Sequence, residues 1–201
     1  MSLISKPFVS LAFLFLFSYR CIATELSDAG LYVLPYPQQV TIGGDAFIVN
    51  NDLTIVLNKN HSAADAFAAN ELVKDMKDQW NISAQISNHK GEFSIVLLRK
   101  KINAKHPKQS YQITVGKNEI IITGNDEEGL FYGTRTLLQL ILKKGNVYQV
   151  PGMKITDWPA ILQRAIHYDT KHHQDKMGYV KSFIKELADY KVNMLVWEWE
   201  D

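Results

Sequence analysis

Two glycines, Gly129 and Gly133, stand four residues apart inside a stretch that otherwise asks for a helix. The stretch opens at Gly124-Asn125-Asp126-Glu127-Glu128, where Asn125 or Asp126 can cap the first turn and the acidic pair suits the positive end of the helix dipole. It runs to about residue 142 and is ended by Gly145-Asn146. Glycine in a helix interior costs about 1 kcal/mol against alanine, and a spacing of four puts both glycines on one face. A close approach of that face to another layer compensates the cost. The spacing therefore predicts a helix laid on a sheet.

The strands of such a sheet can be read around it. Residues 93–98 (FSIVLL) are nearly all apolar and suit a buried strand. Residues 111–115 and 119–123 are β-branched runs joined by Gly116-Lys117-Asn118, a hairpin pattern. A second hairpin is predicted from 46–50 and 54–58, separated by Asn51-Asp52, after the stiff extended segment Leu34-Pro35-Tyr36-Pro37-Gln38. Between 62 and 80, Ala66, Ala69, Leu72, Val73, Met76 and Trp80 recur at helical spacing among charged residues, which predicts an amphipathic helix. Residues 147–150 supply one more strand, and Pro151-Gly152 marks a boundary. The expected fold class is an α+β domain over 24–153, a sheet covered by helices.

Beyond Pro159 the pattern changes to a strand at 164–169, a helix at 176–191 and a strand at 194–199. Val180, Phe183, Ile184, Leu187 and Tyr190 share one face of that helix. Strand, helix, strand with a crossover of this length is the repeating unit of a β/α barrel or of a doubly wound sheet. One such unit leaves strand edges and a sheet face uncovered, so it either continues past Asp201 or packs on the first domain.

Residues 1–23 have the pattern of an export signal: Lys6, an apolar run at 8–17 (FVSLAFLFLF), and Cys21-Ile22-Ala23 before the cleavage point. The run is too short for a membrane span of roughly 20 residues. A lipid-modified Cys21 is the alternative, disfavoured by Tyr19 and Arg20 just before it. Either reading places the protein outside the cytoplasm, in the periplasm, at the cell surface or secreted. With a single cysteine no intrachain disulfide can form, so the core alone must hold the fold. Removing Lys6 and Arg20 takes the 22 Lys and Arg to 20, against 21 Asp and Glu, a net charge of −1. A near-neutral chain has no field to gather phosphates, and nucleic acid is excluded as a partner.

Two stretches carry a family resemblance. Asn125 to Leu140 (NDEEGLFYGTRTLLQL) resembles the last helix of the accessory domain that precedes the catalytic barrel in β-N-acetylhexosaminidases of glycoside hydrolase family 20. Ile155-Thr156-Asp157-Trp158-Pro159, Arg164 before a strand, Asp169 at its end, and Tyr190-Lys191-Val192-Asn193 leading to Trp197 resemble the start of that family's barrel. The resemblance implies that residues 154–201 begin an incomplete (β/α)8 barrel. It also implies hydrolysis of terminal N-acetylhexosamine from a glycan with retention, the substrate's own acetamido group acting as nucleophile, and no cofactor. The adjacent Asp-Glu pair that does this work follows the family's fourth strand, beyond Asp201. The alternative is a noncatalytic glycan-binding or interaction module on a degenerate barrel.

Carried over by position, Arg164 matches an arginine that grips sugar hydroxyls, a task suited to a forked and permanently charged donor set. Asp201 matches an acidic residue that shapes the site after the second strand, and His172 or His173 borders it. The family usually has His-Leu between the tryptophan and this acid, where this chain runs Trp197-Glu198-Trp199-Glu200-Asp201, and a glycine where it has Ala165. These departures mark a divergent branch. Trp197 and Trp199 share one face of a strand and Glu198 and Glu200 the other; tryptophans so placed either stack on sugar or fill the core. His167, His172 and His173 fit no common zinc spacing, and no metal is expected.

Overall fold

The computed structural model describes residues 25–170 and 175–199. The expected export signal with Cys21, and the site candidates His172, His173 and Asp201, lie outside the described residues. In chain order the elements are α1 (Glu25–Asp28), β1 (Gln39–Ile42), β2 (Phe47–Val49), β3 (Leu53–Leu57), α2 (Ala63–Trp80), β4 (Ala84–Ser87), β5 (Phe93–Arg99), β6 (Tyr111–Val115) and β7 (Glu119–Gly124). They continue with α3 (Glu127–Leu140), β8 (Leu142–Lys144), β9 (Val147–Val150), β10 (Met153–Asp157), β11 (Ala165–Asp169), α4 (Met177–Asp189) and β12 (Met194–Glu198).

A seven-stranded mixed sheet in the order β1-β10-β6-β7-β5-β3-β4 forms the centre. Its register lines up apolar rows across the sheet. Ile55, Ile95, Ile120, Val115 and Met153 stand side by side in one row, and Leu57, Leu97, Ile122, Ile113 and Ile155 in the next. These rows face α2 and α3 and are all buried in a single core, joined by Leu72 and Met76 of α2 and Leu130 and Leu137 of α3. The opposite face is mixed: Thr54 and Ser94 stand side by side in one row, and Val56, Val96, Ile121, Thr114 and Lys154 in the next. The result is a two-layer domain with helices on one side of the sheet.

Both helices start on the caps their sequences advertise. Ser62 and Asp65 close a capping box on α2, and Asn81 ends that helix in the left-handed region at φ 56°. Asp126 caps α3: one carboxylate oxygen accepts from the Gly129 amide at 2.8 Å while the other accepts from the Gln109 amide at 2.7 Å. The two glycines behave as the spacing predicts. A Cβ on Gly129 would sit 2.2 Å from the Ser110 carbonyl oxygen, and one on Gly133 would sit 2.4 Å from the Ile122 side chain and 3.4 Å from the Tyr111 ring. Helix α3 lies on β6 and β7 with no room for a methyl group.

The hairpin expected from 46–50 and 54–58 does not form. β2 pairs with β9 in a separate three-stranded sheet, while β3 runs parallel to β4 and β5 in the central one. The polar link Asn50–Asp52 redirects the chain, with the Asn50 side chain accepting from the Asp52 amide at 3.1 Å. Two short apolar runs and a turn do not specify each other; β3 goes where Leu53, Ile55 and Leu57 extend the core face. Strands β1, β4, β8 and β10 were not predicted either. Met153–Asp157, at the division expected at 153/154, pairs on both sides within the sheet, with β1 and β6.

Candidate functional site

The strand-helix-strand unit expected after Pro159 is present. β11 and β12 pair in parallel, Ala165 opposite Met194 through Asp169 opposite Glu198, with α4 as the crossover. Successive residues on a strand point to opposite faces, and the ring contacts identify which face carries the helix. Tyr168 lies 5.3 Å from Phe183 of α4, and Trp197 meets Tyr168 edge to face at 5.5 Å. Tyr168 and Trp197 are thus on the helix side, and Leu195 shares it. Ala165, His167, Asp169, Met194, Val196 and Glu198 are on the other side.

At the C-terminal end of the pair the strands are tied by Thr170, whose amide and hydroxyl both donate to the Glu198 carbonyl, at 3.3 and 3.0 Å. The Trp197 indole N–H donates to the same hydroxyl at 3.4 Å. The structure therefore places Trp197 among aromatic and strand contacts on the helix face. Tyr168 donates to Asp175, and that carboxylate pushes the phenol up to about 12. On the opposite face His167 Nε2 lies 2.8 Å from Glu198 Oε2. Sequence reading saw this face only as carboxylates opposite indoles and did not pair it with His167. Among the described residues no group of three or more His, Cys, Asp or Glu is placed to hold a metal ion, and no helix is long and apolar enough to cross a membrane.

At the N-terminal end the unit is locked to the first domain. Lys191, between α4 and β12 and at φ 61°, is 5% exposed. Its ammonium donates to the Tyr111 hydroxyl at 2.7 Å and to Asp157 Oδ2 at 3.1 Å. Tyr111 in turn donates to the same carboxylate oxygen at 2.6 Å, which leaves Thr136, 2.6 Å away, as donor to the phenol. Asp157 Oδ1 accepts from the amides of Gln38 and Trp158 at 3.1 and 2.9 Å. Burial, then Asp157, raises the Tyr111 phenol well above its usual value. Burial lowers the Lys191 ammonium, with Asp157 opposing and Arg164 adding to the fall. Every partner of the charge pair is satisfied, the condition under which buried ions are tolerated.

Arg164 belongs to this lock. Its Nε donates to the Lys191 carbonyl at 2.6 Å and its Nη1 to the carbonyls of Ile161 and Leu162 at 2.8 and 3.2 Å. The guanidinium also lies 5.3 Å from the centre of the Tyr132 ring. A cavity of about 220 Å³ opens beside it, lined by Pro35, Tyr36, Tyr132, Trp158, Arg164 and Lys191. A second ionic cluster joins the helices: Arg135 of α3 donates to Asp75 of α2, and Asp189 of α4 lies 3.3 Å from the same nitrogen. Lys185 of α4 reaches Asp75 at 3.0 Å and Asp189 at 3.3 Å. Tyr190-Lys191 and Thr156-Asp157 were read as motif positions without a role, since nothing local in either stretch points to the other.

Residues 30–158 match the model of glycosyl hydrolase family 20, domain 2. The chain belongs to glycoside hydrolase family 20. It is 27% identical over 182 residues to a beta-hexosaminidase of Porphyromonas gingivalis, covering 85% of this chain and 22% of that protein. A solved family 20 beta-N-acetylglucosaminidase is 26% identical and superposes with a TM-score of 0.67 over 84% of this chain and 31% of its own. The chitobiase of Flavobacterium johnsoniae, at 21% identity and a TM-score of 0.72, covers 85% of this chain and 27% of that one and supports the fold. The chain spans about a fifth of the length of the beta-hexosaminidases of Porphyromonas gingivalis and Pseudoalteromonas piscicida. It corresponds to the N-terminal region of family 20 hexosaminidases, whose members are glycoside hydrolases.

Proposed function

We propose that this chain is the front portion of an exported exo-β-N-acetylhexosaminidase that removes terminal N-acetylhexosamine from glycans. The observation that carries the reading is the continuity between the matched domain and the parallel β11–β12 pair. The matched family 20 domain runs to Trp158, and Asp157 within it grips Lys191 in the link just before β12. An accessory domain that merely trailed a barrel would not need its last strand to hold the barrel's first unit. In this proposal β11, α4 and β12 open a (β/α)8 barrel, an adjacent Asp-Glu pair after a fourth strand supplies the acid and orients the acetamido group, and no cofactor takes part.

Barrel sites form at the C-terminal ends of the strands. Asp201 and His172 are proposed to border the sugar there. Arg164, just before β11, is proposed as a further sugar contact, its Nε and Nη1 held by the carbonyls of Lys191, Ile161 and Leu162. The test is hydrolysis of an aryl N-acetyl-β-glucosaminide by the complete protein that carries this chain. Release of the aryl alcohol with retained anomeric configuration supports the proposal. Glycan binding without hydrolysis of any aryl N-acetylhexosaminide favours the noncatalytic module.

A further inference from the structure

Glu198 and His167 occupy the face of β11 and β12 that α4 does not cover. Helices surround a β/α barrel, so the face opposite the helix is the interior. Glu198 stands opposite Asp169 in the last paired position of the two strands, and His167 lies one inward-facing position below. That level is where barrel side chains meet a ligand. The two groups touch at 2.8 Å, with His167 exposed and Glu198 half-buried, their side chains 56% and 33% exposed. Trp197 and Trp199, the more conspicuous sugar candidates in the sequence, are turned to the other face.

We propose that Glu198 is a specificity-determining residue that accepts a hydrogen bond from a hydroxyl of the terminal sugar, with His167 as the positioning residue that fixes the direction of its carboxylate. The assignment rests on the barrel reading above. Sugar hydroxyls are donors, and an ionised carboxylate is the strongest neutral-pH acceptor a side chain offers. A flexible glutamate alone would lose much of that advantage to side-chain freedom. The imidazole at 2.8 Å restrains one oxygen and so orders the other.

The experiment measures kcat/KM of the complete protein, wild type and the variants Glu198→Ala, Glu198→Gln, His167→Ala and the double alanine variant. Substrates are the aryl N-acetyl-β-hexosaminide that the wild type cleaves and its 3-, 4- and 6-deoxy analogues. The expected result is that one deoxy analogue costs the wild type about 10- to 100-fold but costs Glu198→Ala less than about 3-fold, since the lost hydroxyl then has no acceptor to miss. His167→Ala should show the same loss mainly in KM, and the double variant should be no worse than Glu198→Ala. Equal penalties for every analogue in wild type and Glu198→Ala, with a melting point lowered by both alanine variants, overturn the proposal and leave the pair a structural one. A wild type inactive on every parent hexosaminide overturns the barrel reading first and this proposal with it.

Discussion

Lys191 sets its ammonium 3.1 Å from the Asp157 carboxylate across the seam between the sheet domain and the strand-helix-strand unit, with Tyr111 shared between them. Removing the cation leaves a buried carboxylate that keeps its Tyr111, Gln38 and Trp158 donors but loses its counter-charge. Lys191→Met should therefore destabilise the protein by about 2–4 kcal/mol. Urea denaturation measures it. A loss under about 0.5 kcal/mol would show that the pair does not join the two parts.

The same network gives the protein an alkaline signature. Burial and Asp157 raise the Tyr111 phenol, so the folded state favours its protonated form. That contribution is complete below the unfolded value near 10 and is lost as pH climbs from there toward the folded value. Lys191 is lowered, so its effect has the opposite sign, rising as pH passes from its folded value to the unfolded one. Tyr111→Phe should remove the falling part: between pH 9 and 11 the variant's stability should decline less than the wild type's. Parallel pH curves would refute the assignment.

Arg135 and Asp75 are each 1% exposed, and the Arg135 Nη2 atom has no partner among the described residues. Arg135→Met alone should cost about 2–3 kcal/mol, because it leaves the buried Asp75 carboxylate with only the part-exposed Lys185 as counter-charge. Replacing both, Arg135→Met with Asp75→Leu, should recover more than half of that loss. Melting temperatures of the three proteins decide it, and a double variant as unstable as the single one would place the cost in packing.

Gly129→Ala should destabilise by about 2–3 kcal/mol even though alanine is the better helix former. Its methyl would meet the Ser110 carbonyl, which belongs to the main chain, and that cannot swing aside. Gly133→Ala meets the Ile122 side chain first and should cost less. A stabilised Gly129→Ala protein would mean that α3 does not lie against β6 as described.

What the sequence made legible follows from the range of each signal. Gly129 and Gly133, the Asp126 cap and the 111–123 hairpin are local patterns, and each formed where expected. The strand-helix-strand order at the end was also legible, because its periodicity shifts within a few residues. Pairing across the chain was not. β2 and β3 sit next to each other in sequence yet belong to different sheets, and β10 reaches back to β1 over more than a hundred residues. The lock at Lys191 was hidden for the same reason: a lysine in a polar loop looks solvated until the fold brings Asp157 and Tyr111 to it. Trp197 drew attention by its chemistry, whereas its direction was set by which face α4 covers.

The central claim is that this chain opens a working hexosaminidase, and the direct measurement is the rate at which the complete protein cleaves an aryl N-acetyl-β-glucosaminide or galactosaminide. The account predicts release of the aryl alcohol with retention at the anomeric carbon, and loss of that activity when Lys191→Met loosens the seam. No hydrolysis of any aryl N-acetylhexosaminide by a folded protein would contradict it.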